Sequence, residues 1–293
     1  MNLKNKVFIK HELKKKDFYK WLKQTLEDNG WENISSKPST DFDVFYSKGE
    51  SGNDELYFQM KEYAASSVNS TLSGSSERFF DVKPLKGYTP GAPGNPGVLD
   101  RSDESFIRLQ ISIGEIQMNS DMTVHYNVNK NRIIIVTEFP ITINEDSVIF
   151  MIGKPDEHLS KYYSNGSMIV FSSTSYNRIA SGLEEADSTN KAAYSLNTIE
   201  LMMPKVKNSS GVNFMSELAV GNNSEGIKAL IEGVYVLTGD FNLNKSCRGD
   251  LLVDQNNNKY QIFYLGTRTS SSYQYYEKTR YIALMIERGE LDG

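Results

Sequence analysis

Between residues 18 and 28 the apolar positions recur every three or four residues. Phe18, Trp21, Leu22, Thr25 and Leu26 fall on one side of a helical wheel, with Lys20, Lys23, Gln24 and Glu27 on the other. That spacing predicts an amphipathic helix. Asn29 and Gly30 both tolerate the left-handed conformation that ends a helix, and Trp31 can then fold back on the apolar stripe. Trp21 and Trp31 accordingly read as core side chains rather than ligand-stacking platforms.

Downstream the period drops to two. Residues 42–46 and 56–60 are β-favouring runs joined by Lys48-Gly49-Glu50-Ser51-Gly52-Asn53-Asp54, which has the chemistry of a hairpin loop. From about Ala64 to Asp103 periodicity is lost, and Pro84, Pro90, Pro93 and Pro96, four of the eight prolines, fall within fourteen residues. This stretch reads as a long excursion from the sheet. Alternation returns at 106–113 and at 122–128, where Val124, Tyr126 and Val128 share a side. Asn129-Lys130-Asn131 then reads as a turn into Arg132-Ile133-Ile134-Ile135-Val136-Thr137, apolar on both faces and so expected at the centre of a sheet. Residues 148–153 form another buried strand.

In the second half, 167–171 and 198–202 read as strands. Residues 227–236 are ambiguous: Ile227, Leu230 and Ile231 suit a helical turn, whereas 233–237 suits a strand. Asp254-Gln255-Asn256-Asn257-Asn258 reads as a turn between strands at 250–253 and 259–264, and 281–286 as a last strand. The expectation is an α+β fold, mainly β, with antiparallel sheets, an N-terminal amphipathic helix and long polar loops. Residues 1–153 form a first part, helix plus antiparallel sheet, with the excursion at 64–103. Residues 154–293 form a second β-rich part, either separate from the first or continuous with it.

Charge and composition narrow the chemistry. The 293 residues carry 32 Lys and Arg against 37 Asp and Glu, a formal net charge of −5, and 39% are hydrophobic. That balance is too apolar for wholesale disorder and argues against a dedicated nucleic-acid binder. No apolar run approaches the about 18 residues of a membrane helix, and Met1-Asn2-Leu3-Lys4 leads into charged sequence rather than a signal peptide. One cysteine, Cys247, and three dispersed histidines leave little for a disulfide framework, a metal site or another cofactor. Around Cys247, Lys245 and Arg248 could lower the thiol pKa, but a packed cysteine is the better reading than a nucleophile. Gly221 to Lys228 has the outer spacing of a phosphate loop but places Ile227 where the lysine must stand, so it fails as one. No catalytic residues are assigned, and the chain is expected not to be an enzyme. Tyr273, Tyr275 and Tyr276 lie near Arg268, Lys278 and Arg280, a mixture suited to an interface or to stacking on a sugar.

Several stretches resemble a family of tailed-bacteriophage virion structural proteins: the helix ending in Asn29-Gly30-Trp31, residues 43–60, the strand pair 126–134, Phe150-Met151-Ile152-Gly153, Ile231-Glu232-Gly233-Val234-Tyr235-Val236, and residues 249–253 with 259–263. The resemblance implies a non-enzymatic part of the particle, made in the bacterial cytoplasm and located in the virion. It would form a homo-oligomeric ring, a hexamer or other cyclic oligomer, as a neck or head-to-tail connector or a tail-completion (terminator) protein. Its partners would be its own copies and neighbouring neck or tail proteins. Neither membrane nor specific nucleic-acid binding is implied, although DNA could pass through the ring. The alternative is a baseplate or tail-tip module that binds a host surface glycan. The candidate interaction surface is Pro84, Tyr88, Pro90, Pro93 and Pro96 in the proline-rich stretch, with Tyr273, Tyr275 and Tyr276.

Overall fold

The computed structural model describes residues 7–38, 42–64, 78–101, 107–110, 119–138, 147–154, 157–158, 168–172, 179–181, 200–202, 214–222, 226–238, 249–264 and 281–289. An edge strand, β1 (Ile9–Lys14), leads through a 3₁₀ turn into α1 (Phe18–Asp28). The helix follows the predicted stripe: Phe18, Leu22, Thr25 and Leu26 are its buried residues. Burying side chains the size of Phe or Leu is worth about 1.5–3 kcal/mol each relative to exposure. Gly30 takes φ +88° beyond the helix end, and Trp31 N–H reaches back to the Leu26 carbonyl at 3.1 Å. Trp31 is itself buried.

A first antiparallel sheet follows in chain order: β2 (Glu32–Asn33), β3 (Asp43–Ser47), β4 (Leu56–Ala64), β5 (Arg78–Thr89) and β6 (Val98–Arg101), with β7 (Ile107–Gln110) also paired to β5. The hairpin expected between residues 42 and 60 is β3–β4, with Phe45 opposite Phe58. The expected excursion at 64–103 is corrected for residues 78–101, while residues 65–77, 102 and 103 lie outside the described residues. β5 runs along β4 from Tyr57↔Leu85 to Ala64↔Arg78, and β6 pairs with β5 beyond it. Pro84 does not prevent this because of where it falls. On its other edge β5 pairs with β7 up to Val82 and with β6 from Leu85, so Lys83 and Pro84 lie where the partner strand changes. A residue without an N–H is tolerated at such a break in the ladder.

The second sheet has β1 at one edge and continues through β8 (Asp121–Val128), β9 (Arg132–Glu138), β10 (Val148–Gly153), β12 (Ile169–Ser172) and β13 (Ile179–Ser181), all antiparallel. The two-residue β11 (Glu157–His158) belongs elsewhere and pairs with β16 (Gly226–Thr238). β9 is central, and Arg132 to Thr137 are all buried, as its two-faced apolar run predicts. Its Arg132 guanidinium is pushed down to about 10 by burial. Since β12 and β13 join β10, strand pairing crosses residue 153.

The third sheet orders β14 (Glu200–Met202), β15 (Phe214–Asn222), β16, β19 (Tyr281–Glu287), β18 (Lys259–Tyr264) and β17 (Leu251–Val253). The ambiguous 227–236 stretch is strand throughout. Two register shifts interrupt its pairing with β15. Lys228 is an extra residue between Gly221↔Ile227 and Val220↔Ala229, within the helix-like spacing, and the register jumps again from Leu218↔Ile231 to Glu217↔Tyr235, where Gly233 takes φ +81°. One core cluster draws Phe18 and Leu26 from the helix, Phe58 from the first sheet, Ile134 from the second, and Val236, Phe263 and Ile282 from the third. The protein is therefore mainly β, with antiparallel sheets and one short α-helix among the described residues.

Candidate interaction surface and a buried polar cluster

The proline-rich residues form the connection between β5 and β6. Ala92, Pro93, Gly94 and Asn95 make a turn in which Asn95 N–H donates to the Ala92 carbonyl at 2.9 Å, with Gly94 at φ +85°. Proline at the second position and a positive-φ glycine at the third are the demands of a type II turn. A chain of hydrogen bonds anchors this loop. Gly91 N–H donates to Ser36 Oγ at 2.6 Å, and Ser36 Oγ lies 2.8 Å from Tyr88 Oη. Tyr88 Oη accepts from Ser36 N–H at 3.0 Å and donates to the Pro96 carbonyl at 2.8 Å. With the tyrosine proton committed to Pro96, the serine hydroxyl is the donor between the two side chains. The order is then Gly91 N–H, Ser36 hydroxyl, Tyr88 hydroxyl, Pro96 carbonyl, in which each bond polarises the next. Gly97, at φ +77°, leaves no room for a side chain: a Cβ there would lie 2.6 Å from the Thr89 carbonyl oxygen.

The sequence-predicted surface residues therefore separate. Pro90, Pro93 and Pro96 are exposed at the tip, and Tyr88 is the half-buried anchor beneath them. Pro84 is corrected: it is buried inside β5 opposite Phe58 and contributes to the sheet, not to the tip. Tyr273, Tyr275 and Tyr276 lie outside the described residues, as does Cys247. Beside the tip, Val98 on β6 is 69% exposed. A second apolar patch is on β17, at the end of the third sheet's strand order, where Leu251 and Val253 are each 61% exposed. Being two residues apart on a strand, they share a face.

A different kind of cluster lies under α1. Asp43, at the start of β3, is fully buried, yet it accepts hydrogen bonds from Tyr19 Oη at 2.8 Å, Lys23 Nζ at 3.2 and 3.3 Å, and Asn33 Nδ2 at 2.9 Å. Burial, then the charge of Asp43 and its hydrogen bond, push the Tyr19 hydroxyl far above the usual tyrosine range, so it remains a donor. The sequence reading passed over this group. The available signal was the phase of β3: period two puts Asp43 on the same face as core residue Phe45, which commits a carboxylate to the interior.

At the β17–β18 turn, Asp254 Oδ1 accepts from Asn256 N–H at 2.8 Å and Asn258 N–H at 3.0 Å, while Oδ2 accepts from Asn258 Nδ2 and Tyr260 Oη, both at 2.8 Å. Desolvation opposes ionisation of Asp254, but these bonds outweigh it and hold the carboxyl below its ordinary value. The carboxylate is thus satisfied by its own turn. Among the described residues no group of three or more His, Cys, Asp or Glu side chains is placed to hold a metal ion, and no helix is long and apolar enough to cross a membrane. No known family model matches the chain, and no curated protein matches it either.

Proposed function

We propose that this chain is a structural subunit of a tailed-bacteriophage particle, forming a homo-oligomeric ring as a neck or head-to-tail connector or a tail terminator. The observation that carries the reading is the anchored apolar tip: Pro90, Pro93, Pro96 and Val98, exposed and held from beneath by Tyr88 and Ser36. A projection fixed before contact loses little conformational entropy on docking. A head-to-tail ring also needs two different complementary surfaces on every subunit, because each copy offers one face and receives the other. The tip on the first sheet and the Leu251–Val253 face on the third are two separate places where apolar side chains are exposed, one for each of those surfaces.

Native mass spectrometry of the purified chain tests this with Val98→Lys and Leu251→Lys. The wild type is expected as a closed oligomer, and each variant alone as a monomer. Mixed, the two variants retain one intact pair of faces and are expected to give a heterodimer. A wild type that remains monomeric at every concentration, or variants that assemble unchanged, would contradict the reading.

A further inference from the structure

The cluster around Asp43 brings an amine and a carboxamide onto one carboxylate. Lys23 Nζ lies 3.3 Å from Asp43 Oδ1, and Asn33 Nδ2 lies 2.9 Å from the same oxygen. The orientation of the Asn33 amide follows from its other partners. Its Oδ1 accepts from Ser35 N–H at 3.2 Å and from the Ser35 hydroxyl at 2.7 Å, so the nitrogen must face the carboxylate. Two donors on an amide oxygen are also what stabilises negative charge developing there. The carboxylate is fully buried and the lysine side chain is only 20% exposed. At 3.2 and 3.3 Å from the two carboxylate oxygens, the Lys23 ammonium is within hydrogen-bond reach of the group that would take its proton.

We propose that Lys23 and Asn33 become joined by an intramolecular isopeptide bond, with Asp43 as the proton carrier. Asp43 takes a proton from the Lys23 ammonium, and the freed amine attacks Cγ of Asn33. The charge that forms on Oδ1 is held by the Ser35 N–H and hydroxyl. Asp43 delivers its proton to Nδ2 and takes the second proton from the attacking nitrogen. The Cγ–Nδ2 bond then breaks as the Nζ–Cγ amide is completed. Ammonia leaves and carries that proton away as ammonium, which restores the carboxylate. One bond forms, one breaks, and no oxidant or reductant is consumed. Tyr19 keeps Asp43 in place through its 2.8 Å hydrogen bond, and its ring lies 5.4 Å from Lys23 Nζ. The product ties α1 covalently to β2, the strand at the edge of the first sheet. This inference is independent of the proposed assembly role.

Intact-mass measurement of the full denatured chain after incubation at neutral pH tests it, followed by Glu-specific digestion. The expected mass is one ammonia below the sequence value. Cleavage after Glu27 and Glu32, which lie between the two residues, is expected to leave the Lys23 and Asn33 peptides joined. Lys23→Arg is expected to restore the sequence mass and separate the peptides. If that variant does not fold, the wild-type peptides decide the matter alone. The sequence mass with two separate peptides would overturn the proposal. So would an ammonia deficit that maps to Asn29-Gly30 or another asparagine, or a loss of water with Lys23 joined to Asp43.

Discussion

His125 and Tyr126 are neighbours on β8 and face opposite layers: the His125 ring meets Phe263 of β18 edge-on at 4.8 Å, and Tyr126 meets Trp21 of α1 edge-on at 5.2 Å. Successive residues of a strand point to opposite faces, so these two contacts place the second sheet between the helix and the third sheet. Glu138, at the end of β9, holds His125 Nε2 at 3.1 Å and fixes the ring against Phe263. Phe263→Ala is expected to cost about 3–5 kcal/mol, the range for removing a buried aromatic side chain. Leu251→Ala on the exposed face of β17 is expected to change stability by no more than about 0.5 kcal/mol. Urea denaturation of the two variants checks the contrast.

Trp31 joins two layers by a polar contact as well as by packing. Its Nε1–H donates to the Asn129 carbonyl in the β8–β9 turn at 2.8 Å, while its ring meets Phe58 edge-on at 5.2 Å. Trp31→Phe retains much of the ring but leaves that carbonyl without its donor. The expected loss is about 1 kcal/mol, the typical net worth of a hydrogen bond, since Asn129 is half-buried. Equilibrium denaturation measures it, and an unchanged midpoint would show that the hydrogen bond contributes nothing.

Two glycines separate backbone strain from steric overlap. Gly52 and Gly97 have nearly equal angles, φ +75° and +77°, but a Cβ on Gly52 meets nothing within 4 Å, whereas on Gly97 it would lie 2.7 Å from Tyr88 Oη. Gly52→Ala is expected to cost about 1–2 kcal/mol, the left-handed penalty alone. Gly97→Ala adds the overlap, about 1–3 kcal/mol more, and should loosen the Ser36–Tyr88–Pro96 chain. Limited proteolysis within residues 90–97 reports the second effect, and equal cleavage of both variants would contradict it.

Asp254 gives a pH dependence of definite sign. Its carboxyl is held below the ordinary 3.8 in the folded protein, so the unfolded chain binds its proton more readily. The stability it contributes is fully present above 3.8 and is lost as pH falls through the lower folded value. Asp254→Asn should therefore destabilise at neutral pH and have less effect under strongly acid conditions. Thermal unfolding of both proteins across that range checks this, and a variant effect that grew on acidification would contradict it.

Several parts of the fold were legible because one physical signal dominated each. The three-and-four spacing of Phe18, Leu22 and Leu26 had no competing period, and neither did the two-faced run of β9. The proline-rich stretch misled because proline counts against a strand only where its N–H is needed, and the partner change at Pro84 is a property of the sheet, not of its local sequence. At 227–231 the extra residue Lys228 broke the period-two alternation and left a spacing that imitates a helix. β1 escaped notice because its mixed Lys10, Glu12 and Lys14 residues look like surface sequence, as suits a strand at a sheet edge. The exposed tip at Pro90, Pro93 and Pro96 could be read from composition. Its anchor could not, since Ser36 and Tyr88 are 52 residues apart in the chain.

The assembly role is tested most directly by an electron-microscopy reconstruction of tailed particles carrying this chain. The expected result is density for the protein in a closed ring at the head-to-tail junction or tail end, with residues 90–98 seated on the adjacent subunit. Density for the chain away from the head-to-tail junction and the tail end, or not closed into a ring, would contradict it.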